Sequence, residues 1–381
     1  MRLFSQFPKA VVPAAVFFLP MVAAALLSAG EPVRYEYLQE KMAVPVRVVF
    51  YTENPDLAAV AQEAVYRRFD ELNEIMSDYN PESEIVRACR ESGETGEPVP
   101  IDDALYAVLA KSREMNRITG GTFDISVSPV VKLWRRSRIF GRRPPEKYLD
   151  RAKMLVGNEN WELLEPGSLG EGEPRGALRV LKKDVRLDLG GIAKGYAIDE
   201  GIRILKEFGI CAALIDAGGD IRVTAAPPDA EGWTIGGVSF STEGKAAYHL
   251  TLVDAAIATS GDMFQHFEID AVRYSHIIDP RNGEPLTRRS TVSILAPDAT
   301  TADALASGIS VLGPEQGVAL AESLPGIEAI VITDPADCAT SHASSPEGAP
   351  NQAETPQITA SGRFIQCRSE MMKKEESVES P

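Results

Sequence analysis

The stretch "DLGGIAKGYAIDEG", from Asp188 to Gly201, places an acid, two glycines and a lysine at the start of a predicted helix. Glycines at a turn into a helix allow a ligand to approach, and the free N–H groups of a helix N-terminus attract anions. Asp188 can accept a hydrogen bond from a ligand, and Lys194 can reach a phosphate. The stretch is not a Walker A motif, because GxxxxGK[ST] is absent. It indicates either an anion site or, equally well, a structural turn with a solvated lysine.

A second stretch, "TTADALASGIS", places Asp303 and Ser307 four residues apart and so on one face of a predicted helix. A carboxylate and a hydroxyl are hard oxygen ligands that suit Mg²⁺, with phosphates and waters completing the shell. The alternative is structural: Asp303 lies in the first helical turn, with Thr300 or Thr301 as the N-cap. Taken alone, the stretch favours that alternative.

Two further segments carry groups with chemical potential. His276 ends a predicted strand in "YSHIIDPRNGEPL", where an imidazole can act as a general base near neutral pH, although a lone histidine is more often structural. "GGTFDISVSPVVKLW" offers Phe123 and Asp124, which could hold a planar ring, although core packing is the usual role of such a phenylalanine. The sequence argues against a serine hydrolase, because it lacks a GxSxG elbow and Ser260 has no base in a triad order.

Hydrophobic periodicity predicts the elements that must position these residues. The predicted helices cover residues 55–77, 102–120, 192–209, 300–313 and 315–326. The predicted strands lie within residues 46–53, 185–191, 211–223, 232–240, 248–262, 290–297 and 327–334. Helices and strands mix without strict alternation, and neither a GxGxxG motif nor an internal repeat occurs. We therefore predict an α+β fold, a single domain of mixed, mainly antiparallel sheets with packed helices.

The charge of the chain limits the kind of partner it can bind. It has 381 residues and a formal net charge of −16, which argues against a nucleic-acid partner, since that needs a basic face. One basic run, "KLWRRSRIFGRRPPEK" from Lys132 to Lys147, is the exception. We interpret it as a solvated loop in preference to an anion site.

The two ends of the chain differ from its middle. Residues 1–30 combine a short basic start, an apolar core and a small-residue end, which predicts a signal peptide or, as the less favoured alternative, an N-terminal anchor. Residues 335–357 are rich in Ala, Ser, Pro and Glu and predict a low-complexity insertion between two hairpin strands. The domain then covers 31–334, with 358–367 as its final strand and 368–381 as a disordered tail.

The four cysteines are Cys89, Cys211, Cys338 and Cys367, and none shows CxxC spacing, which argues against a zinc site. An exported chain can form disulfides, and Cys338 with Cys367 is the pairing to test first.

Seven stretches together resemble the ApbE family, the FAD:protein FMN transferases, over about Met42 to Ile365. In chain order they are "MSDYNPESEI", "GGTFDISVSPVVKLW", "DLGGIAKGYAID", "DAGGDI", "ATSGD", "HIIDPRNGEP" and "TADALASG". Each is modest alone, but their shared order is specific. The resemblance implies that FAD binds in a cleft as the substrate with Mg²⁺ on its pyrophosphate. FMN then passes to a threonine hydroxyl of an acceptor redox protein as a phosphoester, and AMP leaves.

The resemblance also implies roles for individual residues. The positions that match the family's FAD contacts are Met42, Tyr79, Thr122, Phe123, Asp124, Asp188, Lys194 and Ile277. Those that match its Mg²⁺ ligands are the Gly191 carbonyl, Asp303 and the Ser307 hydroxyl, and His276 matches the proposed catalytic histidine. The implied partners are acceptors with a Ser/Asp-Gly-Ala-Thr type of motif, membrane-associated electron-transfer subunits met in the periplasm or at the outer face of the inner membrane.

Two departures from the family pattern concern the metal ligands. Ser307 stands where the family usually has Thr, and Gly190-Gly191 stands where it often has Ser-Ala or Ser-Thr. A serine hydroxyl still ligates, and the glycine ligand is a backbone atom, so we expect a retained but more flexible site. The alternatives are an FAD pyrophosphatase, in which water replaces the acceptor, and a non-catalytic flavin-binding protein.

Overall fold

In this computed structural model, the described residues are 31–170, 172–173, 175–237, 248–261, 266–334 and 357–361. Their fold is α+β with mainly antiparallel sheets, as predicted. The predicted leader and tail lie outside the described residues, as do Cys338, Cys367 and nearly all of the predicted insertion, and these remain predictions. Within the described ranges, no helix is both long enough and apolar enough to cross a membrane.

The helices follow the hydrophobic periodicity. They are α1 (Pro55–Met76), α2 (Glu84–Thr95), α3 (Asp103–Ile118), α4 (Ser128–Phe140), α5 (Glu146–Lys153), α6 (Ala193–Glu207), α7 (Ala299–Leu312) and α8 (Pro314–Ser323). Helix α1 shows why: Asn54 caps it by accepting hydrogen bonds from the Asp56 and Leu57 N–H groups at 2.9 and 3.1 Å. Its buried residues then recur every three or four positions.

The strands form one large sheet and several small ones. They are β1 (Val33–Lys41), β2 (Val44–Thr52), β3 (Val99–Pro100), β4 (Trp161–Leu164), β5 (Ala177–Val180), β6 (Ala213–Ala217), β7 (Asp220–Val223), β8 (Trp233–Gly237), β9 (Tyr248–Leu252), β10 (Ala255–Gly261), β11 (His266–Ile269), β12 (Val272–Ser275), β13 (Ile278–Asp279), β14 (Glu284–Pro285), β15 (Ser290–Ala296), β16 (Glu328–Thr333) and β17 (Gln357–Ala360). The large sheet has eight strands in the order β1-β2-β6-β7-β10-β15-β16-β17, and all neighbours are antiparallel.

Both faces of the large sheet are covered. On one face, α1, α6 and α7 pack over alternate strand residues such as Phe50 and Ile294, and these form the main core. On the other face, the β8–β9 hairpin covers the intervening residues, such as Val49 and Ile257. The strands are therefore rich in apolar residues both among those that face the helices and among those that face the hairpin. Packing of α6 and α7 on the same face of the sheet brings their predicted site residues together.

A smaller hydrophobic cluster joins α4 and α5 to the β11–β12 hairpin and to β13. Trp134 of α4 is at its centre, against Phe267 and Tyr274, and its indole N–H donates to the Gly283 carbonyl at 2.9 Å. This cluster positions the segment that contains His276.

Three predicted elements are wrong. Residues 185–189 form no strand: alternate residues are buried, but the Asp188 N–H donates to the Ile125 carbonyl at 2.7 Å in place of a sheet ladder. The single strand predicted over 248–262 is two strands, β9 and β10, divided at a turn where Asp254 has a φ of 45°. The basic run interpreted as a loop is largely helical, since α4 extends to Phe140 and α5 begins at Glu146.

Candidate functional site

The start of α6 is the centre of the site. The chain turns through Gly190-Gly191 and enters α6 with Ile192 as the N-cap, where no side chain caps the helix. The Gly195 N–H in the first turn donates to Asp303 Oδ2 of α7 at 3.1 Å. The Ala193 N–H donates to the Leu189 carbonyl at 2.9 Å. The predicted turn into the helix therefore exists, but two of the N–H groups that could bind an anion there already have acceptors within the protein.

Lys194 lies between two buried carboxylates. Its ammonium group forms an ion pair with Asp220 and lies 3.4 Å from both carboxylate oxygens of Asp303. The side chains of Asp220 and Asp303 are only 4% and 7% exposed. Burial alone would lower the pKa of Lys194, but the two carboxylates outweigh it and raise that pKa. Lys194 is therefore not a fully solvated side chain but a partly buried charged group held between two buried acids.

Asp220 is a site residue that the sequence reasoning missed. It is the first residue of β7, and its second oxygen accepts from the Thr259 N–H at 3.1 Å. The Thr259 hydroxyl in turn lies 2.9 Å from that of Ser293. The stretch "DAGGDI" pointed to this position, but periodicity could not show that the start of β7 faces the first turn of α6.

Helix α7 is held so that Asp303 points into the site. Its N-cap is Asp298, which accepts from the Thr301 N–H at 2.8 Å, so the predicted caps Thr300 and Thr301 are wrong and Asp303 lies beyond the first turn. Burial raises the pKa of Asp303 to about 6, and Lys194 only partly opposes this rise. An acid kept away from water in this way needs a cation beside it to remain charged.

The approach of α6 to α7 is close because a glycine lies at the contact. A Cβ atom at Gly195 would sit 2.2 Å from the Ala299 carbonyl oxygen and 2.8 Å from Thr300 Cα. Asp199, one turn further along α6, accepts from the Ala299 and Thr300 N–H groups at 2.9 Å each. These contacts fix the register of the two helices, and with it the position of Lys194 against Asp303.

The three predicted metal ligands converge. A Cβ atom at Gly191 would sit 2.8 Å from Ser307 Oγ and 3.4 Å from Phe123 Cε2, so the Gly191 backbone, Ser307 and Phe123 are neighbours. Asp303 lies one turn before Ser307 on α7. No cluster of three His, Cys, Asp or Glu side chains suited to a metal occurs in the described part of the chain. A carbonyl, a carboxylate and a hydroxyl are nevertheless a hard oxygen set that fits Mg²⁺.

A second group of contacts surrounds Asp188. Arg135 of α4 bridges two acids, donating to Asp78 at 2.7 Å and to Asp188 at 3.2 Å. Its guanidinium group also lies over the Tyr79 ring, 4.4 Å from the centroid, and Tyr79 is 76% exposed. Burial raises the pKa of Asp188, the charge of Asp78 adds to the rise, and Arg135 opposes it. Arg135 was not singled out from the sequence, because it lies in the run interpreted as a solvated loop.

The loop after α3 holds three more predicted flavin contacts. Thr122 and Phe123 are buried, and the Phe123 carbonyl accepts from the Asn116 side chain at 2.8 Å. Asp124 accepts from the Ser126 N–H and hydroxyl at 2.8 and 2.6 Å, and burial raises its pKa. The Phe123 side chain joins this loop to Gly191, as noted above, so the two predicted segments form one wall.

The remaining predicted residues lie at the ends of hairpins. Met42 lies in the β1–β2 turn and has a φ of 50°. The β6–β7 turn lies at the same end of the sheet, where the Gly218 N–H donates to the Pro45 carbonyl at 3.1 Å. His276 is exposed and, with the half-buried Ile277, links β12 to β13. The Ile277 N–H donates to Ser275 Oγ at 3.1 Å. The roles of Met42, His276 and Ile277 stay predictions.

Comparison with known proteins gives the family. The ApbE family model matches residues 42–331. The FAD:protein FMN transferase of Vibrio cholerae is 31% identical over 80% of this chain and 90% of its own length, and that of Treponema pallidum is 30% identical over 78% and 84%. Among solved structures, the flavin transferase ApbE from Vibrio cholerae superposes with a TM-score of 0.71 at 27% identity, covering 88% of this chain and 99% of its own. The fold, the order of the motifs and the extent of these matches agree, and the chain belongs to the ApbE family of enzymes.

Proposed function

We propose that this enzyme transfers the FMN moiety of FAD to a threonine hydroxyl of an acceptor redox protein in a Mg²⁺-dependent reaction. The acceptor oxygen forms a bond to the FMN phosphorus, the bridging P–O bond breaks, and AMP leaves. The observation that carries the proposal is the convergence of Lys194, Asp303, Ser307 and the Gly191 backbone at one helix N-terminus. The names of the relatives support the flavin chemistry.

The residues around α6 are suited to a pyrophosphate. Lys194, in the first turn of α6, would bind its anionic oxygens, and partial burial strengthens that attraction. Asp303, Ser307 and the Gly191 carbonyl would hold Mg²⁺. When bound, the metal neutralises phosphate charge and stabilises the leaving AMP. The protein then mainly has to hold the acceptor and the phosphorus in line.

The flavin and its acceptor require separate groups. The exposed ring of Tyr79, the Phe123 wall and the carboxylates of Asp124 and Asp188 would orient the flavin nucleotide. Met42, Thr122 and Ile277 match the remaining family contacts by position. His276 is exposed and so accessible to a protein acceptor, whose threonine proton it would accept, a role worth about 10²–10⁴-fold in rate.

The test uses purified enzyme, FAD, Mg²⁺ and an acceptor domain carrying the Ser/Asp-Gly-Ala-Thr type of motif. We expect a fluorescent, covalently flavinylated acceptor and one AMP for each flavin transferred, and no product with an acceptor whose threonine is changed to valine. AMP release at the same rate without acceptor would indicate a pyrophosphatase. Tight FAD binding without AMP release in Mg²⁺ would indicate a binding protein.

We also propose that the chain acts outside the cytoplasm, on membrane-associated electron-transfer subunits, because its first 30 residues resemble a secretory leader. Cell fractionation with a C-terminal tag tests the location, and N-terminal sequencing of the mature protein shows whether the leader is removed. Recovery of full-length protein in the cytoplasmic fraction would contradict export.

A further inference from the structure

The end of α4 carries exposed basic and apolar residues in an acidic protein. Residues 138–143, "RIFGRR", are all exposed, and we call them the α4 tip. Ile139 and Phe140 within it are 78% and 67% exposed. The run 132–147 around the tip holds seven Lys or Arg residues and one Glu, in a chain with a net charge of −16. Large apolar side chains among unmatched charges are typical of an interaction surface.

Much of the positive charge at and beside the tip has no acidic partner among the described residues. Arg143 pairs with Glu284 at 2.9 Å. Arg136, Arg138 and Arg142, in contrast, form no ion pair with any other described residue. Arg142 instead lies over the Phe140 ring, 5.9 Å from its centroid. Exposed cations around exposed apolar side chains suit a partner surface with an apolar centre and an acidic rim.

The tip is continuous with the candidate flavin site. Ile139 is four residues after Arg135 and so lies on its helix face, and Arg138 lies between that face and the buried face of Trp134. Arg135 contacts Asp188 and the Tyr79 ring, as described above. Partial burial raises the pKa of the largely exposed Tyr79, and the positive charges of Arg135, which lies over the ring, and of Arg138 both oppose this rise. Phe140 is only about 7.5 Å further along the helix axis than Arg135.

We propose that the α4 tip docks the acceptor protein through an acidic surface beside its acceptor threonine. The proposal rests on the proposed function, since a protein acceptor must cover the surface that borders bound FAD to bring its hydroxyl to the phosphorus. An anionic membrane would match the same charges, but the continuity of the tip with the flavin site favours the acceptor.

The test compares two substrates: an acceptor domain encoded beside this chain and a short peptide with the same motif. Ile139→Ser/Phe140→Ser should lower kcat/KM for the domain by about tenfold or more, through KM, and leave the peptide reaction unchanged. Arg142→Glu should lower the domain's kcat/KM about three- to fivefold at low salt, and the difference should vanish at high salt. The matched controls, expected to behave as wild type with both substrates, are Leu38→Ser/Val60→Ser and Arg90→Glu.

Direct binding of the acceptor domain, measured as a Kd without FAD turnover, separates the two proposals. Weaker binding by the tip variants supports docking even if the wild-type enzyme transfers no FMN, an outcome that would contradict only the proposed function. Unchanged Kd and KM for the domain would overturn the docking proposal. The docking proposal would also be overturned if the tip variants lost binding to vesicles of anionic lipid while their kinetics on the acceptor domain stayed unchanged. The tip would then be a membrane contact.

Discussion

Removing the charge of Lys194 should destabilise the protein more than removing any exposed lysine. The carboxylates of Asp220 and Asp303 are 4% and 7% exposed, so water cannot replace the lost ammonium group. Breaking a buried ion pair by deleting one partner costs about 3–5 kcal/mol of unfolding free energy. Because the Lys194 side chain is itself 27% exposed, we expect the lower end of that range, about 3 kcal/mol, for Lys194→Met. Methionine keeps most of the apolar stem, so the loss reports charge rather than packing.

Urea unfolding followed by tryptophan fluorescence measures this change, with and without saturating Mg²⁺. Mg²⁺ should restore part of the stability of Lys194→Met, since it binds only the folded site and replaces the lost charge. Lys194→Met/Asp220→Asn should recover part of the loss without metal, because one of the facing carboxylates is gone. Lys183→Met, at an exposed position, should stay within about 0.5 kcal/mol of wild type. A loss below about 1 kcal/mol for Lys194→Met would refute the reasoning, because the acids would then not depend on the ammonium group.

Three other predictions follow from single contacts. Gly195→Ala should lower the free energy of unfolding by about 3 kcal/mol or more, because its Cβ would meet backbone atoms of α7. Gly93→Ala should raise that free energy by about 0.5–1 kcal/mol, because the atom nearest to its Cβ is a side-chain carbon at 3.4 Å. Thermal unfolding measures both, and equal stabilities would contradict the packing of α6 on α7. Tyr79→Phe should keep the FAD affinity, whereas Tyr79→Ser should weaken it about tenfold in a fluorescence titration; equal losses would show that the ring does not stack. Brief alkylation of the native protein should label the exposed Cys211 and spare Cys89, because burial raises the pKa of the Cys89 thiol to about 11; peptide mapping that finds similar labelling would contradict its burial.

Five of the eight described helices were predictable because local signals agree with the packing, whereas α2, α4 and α5 were not predicted. Helix α1 combines an Asn54 cap with apolar residues at helical spacing, and α7 ends at Gly313, where the sequence predicts a stop. The strand predicted over 185–191 failed because alternating burial is necessary for a half-buried strand but not sufficient for one. Val185, Leu187 and Leu189 are all buried in the core without a neighbouring strand to pair with in the described structure.

The candidate site was only partly predictable, because its members come from distant segments. The spacing of Asp303 and Ser307 places both on one face of α7, and the Gly190-Gly191 turn predicts that a ligand can approach the start of α6. No local sequence pattern shows that Lys194 forms ion pairs with both Asp303 and Asp220, which lies at the start of β7. Arg135 was missed for a related reason: a run of arginines has the composition of a solvated loop, and only the tertiary structure shows its contacts with Asp188.

The central claim is that Asp303, Ser307 and the Gly191 carbonyl hold a divalent cation against the pyrophosphate of FAD. Phosphorus NMR of bound FAD with Mn²⁺ in place of Mg²⁺ tests it most directly, because a paramagnetic ion broadens only nearby nuclei. We predict strong broadening of both FAD phosphorus signals in the wild-type enzyme. In Asp303→Asn with FAD equally saturated, the same Mn²⁺ concentration should produce little broadening. Equal broadening in both proteins would mean that Asp303 does not hold the metal, and none in the wild type would contradict the site itself.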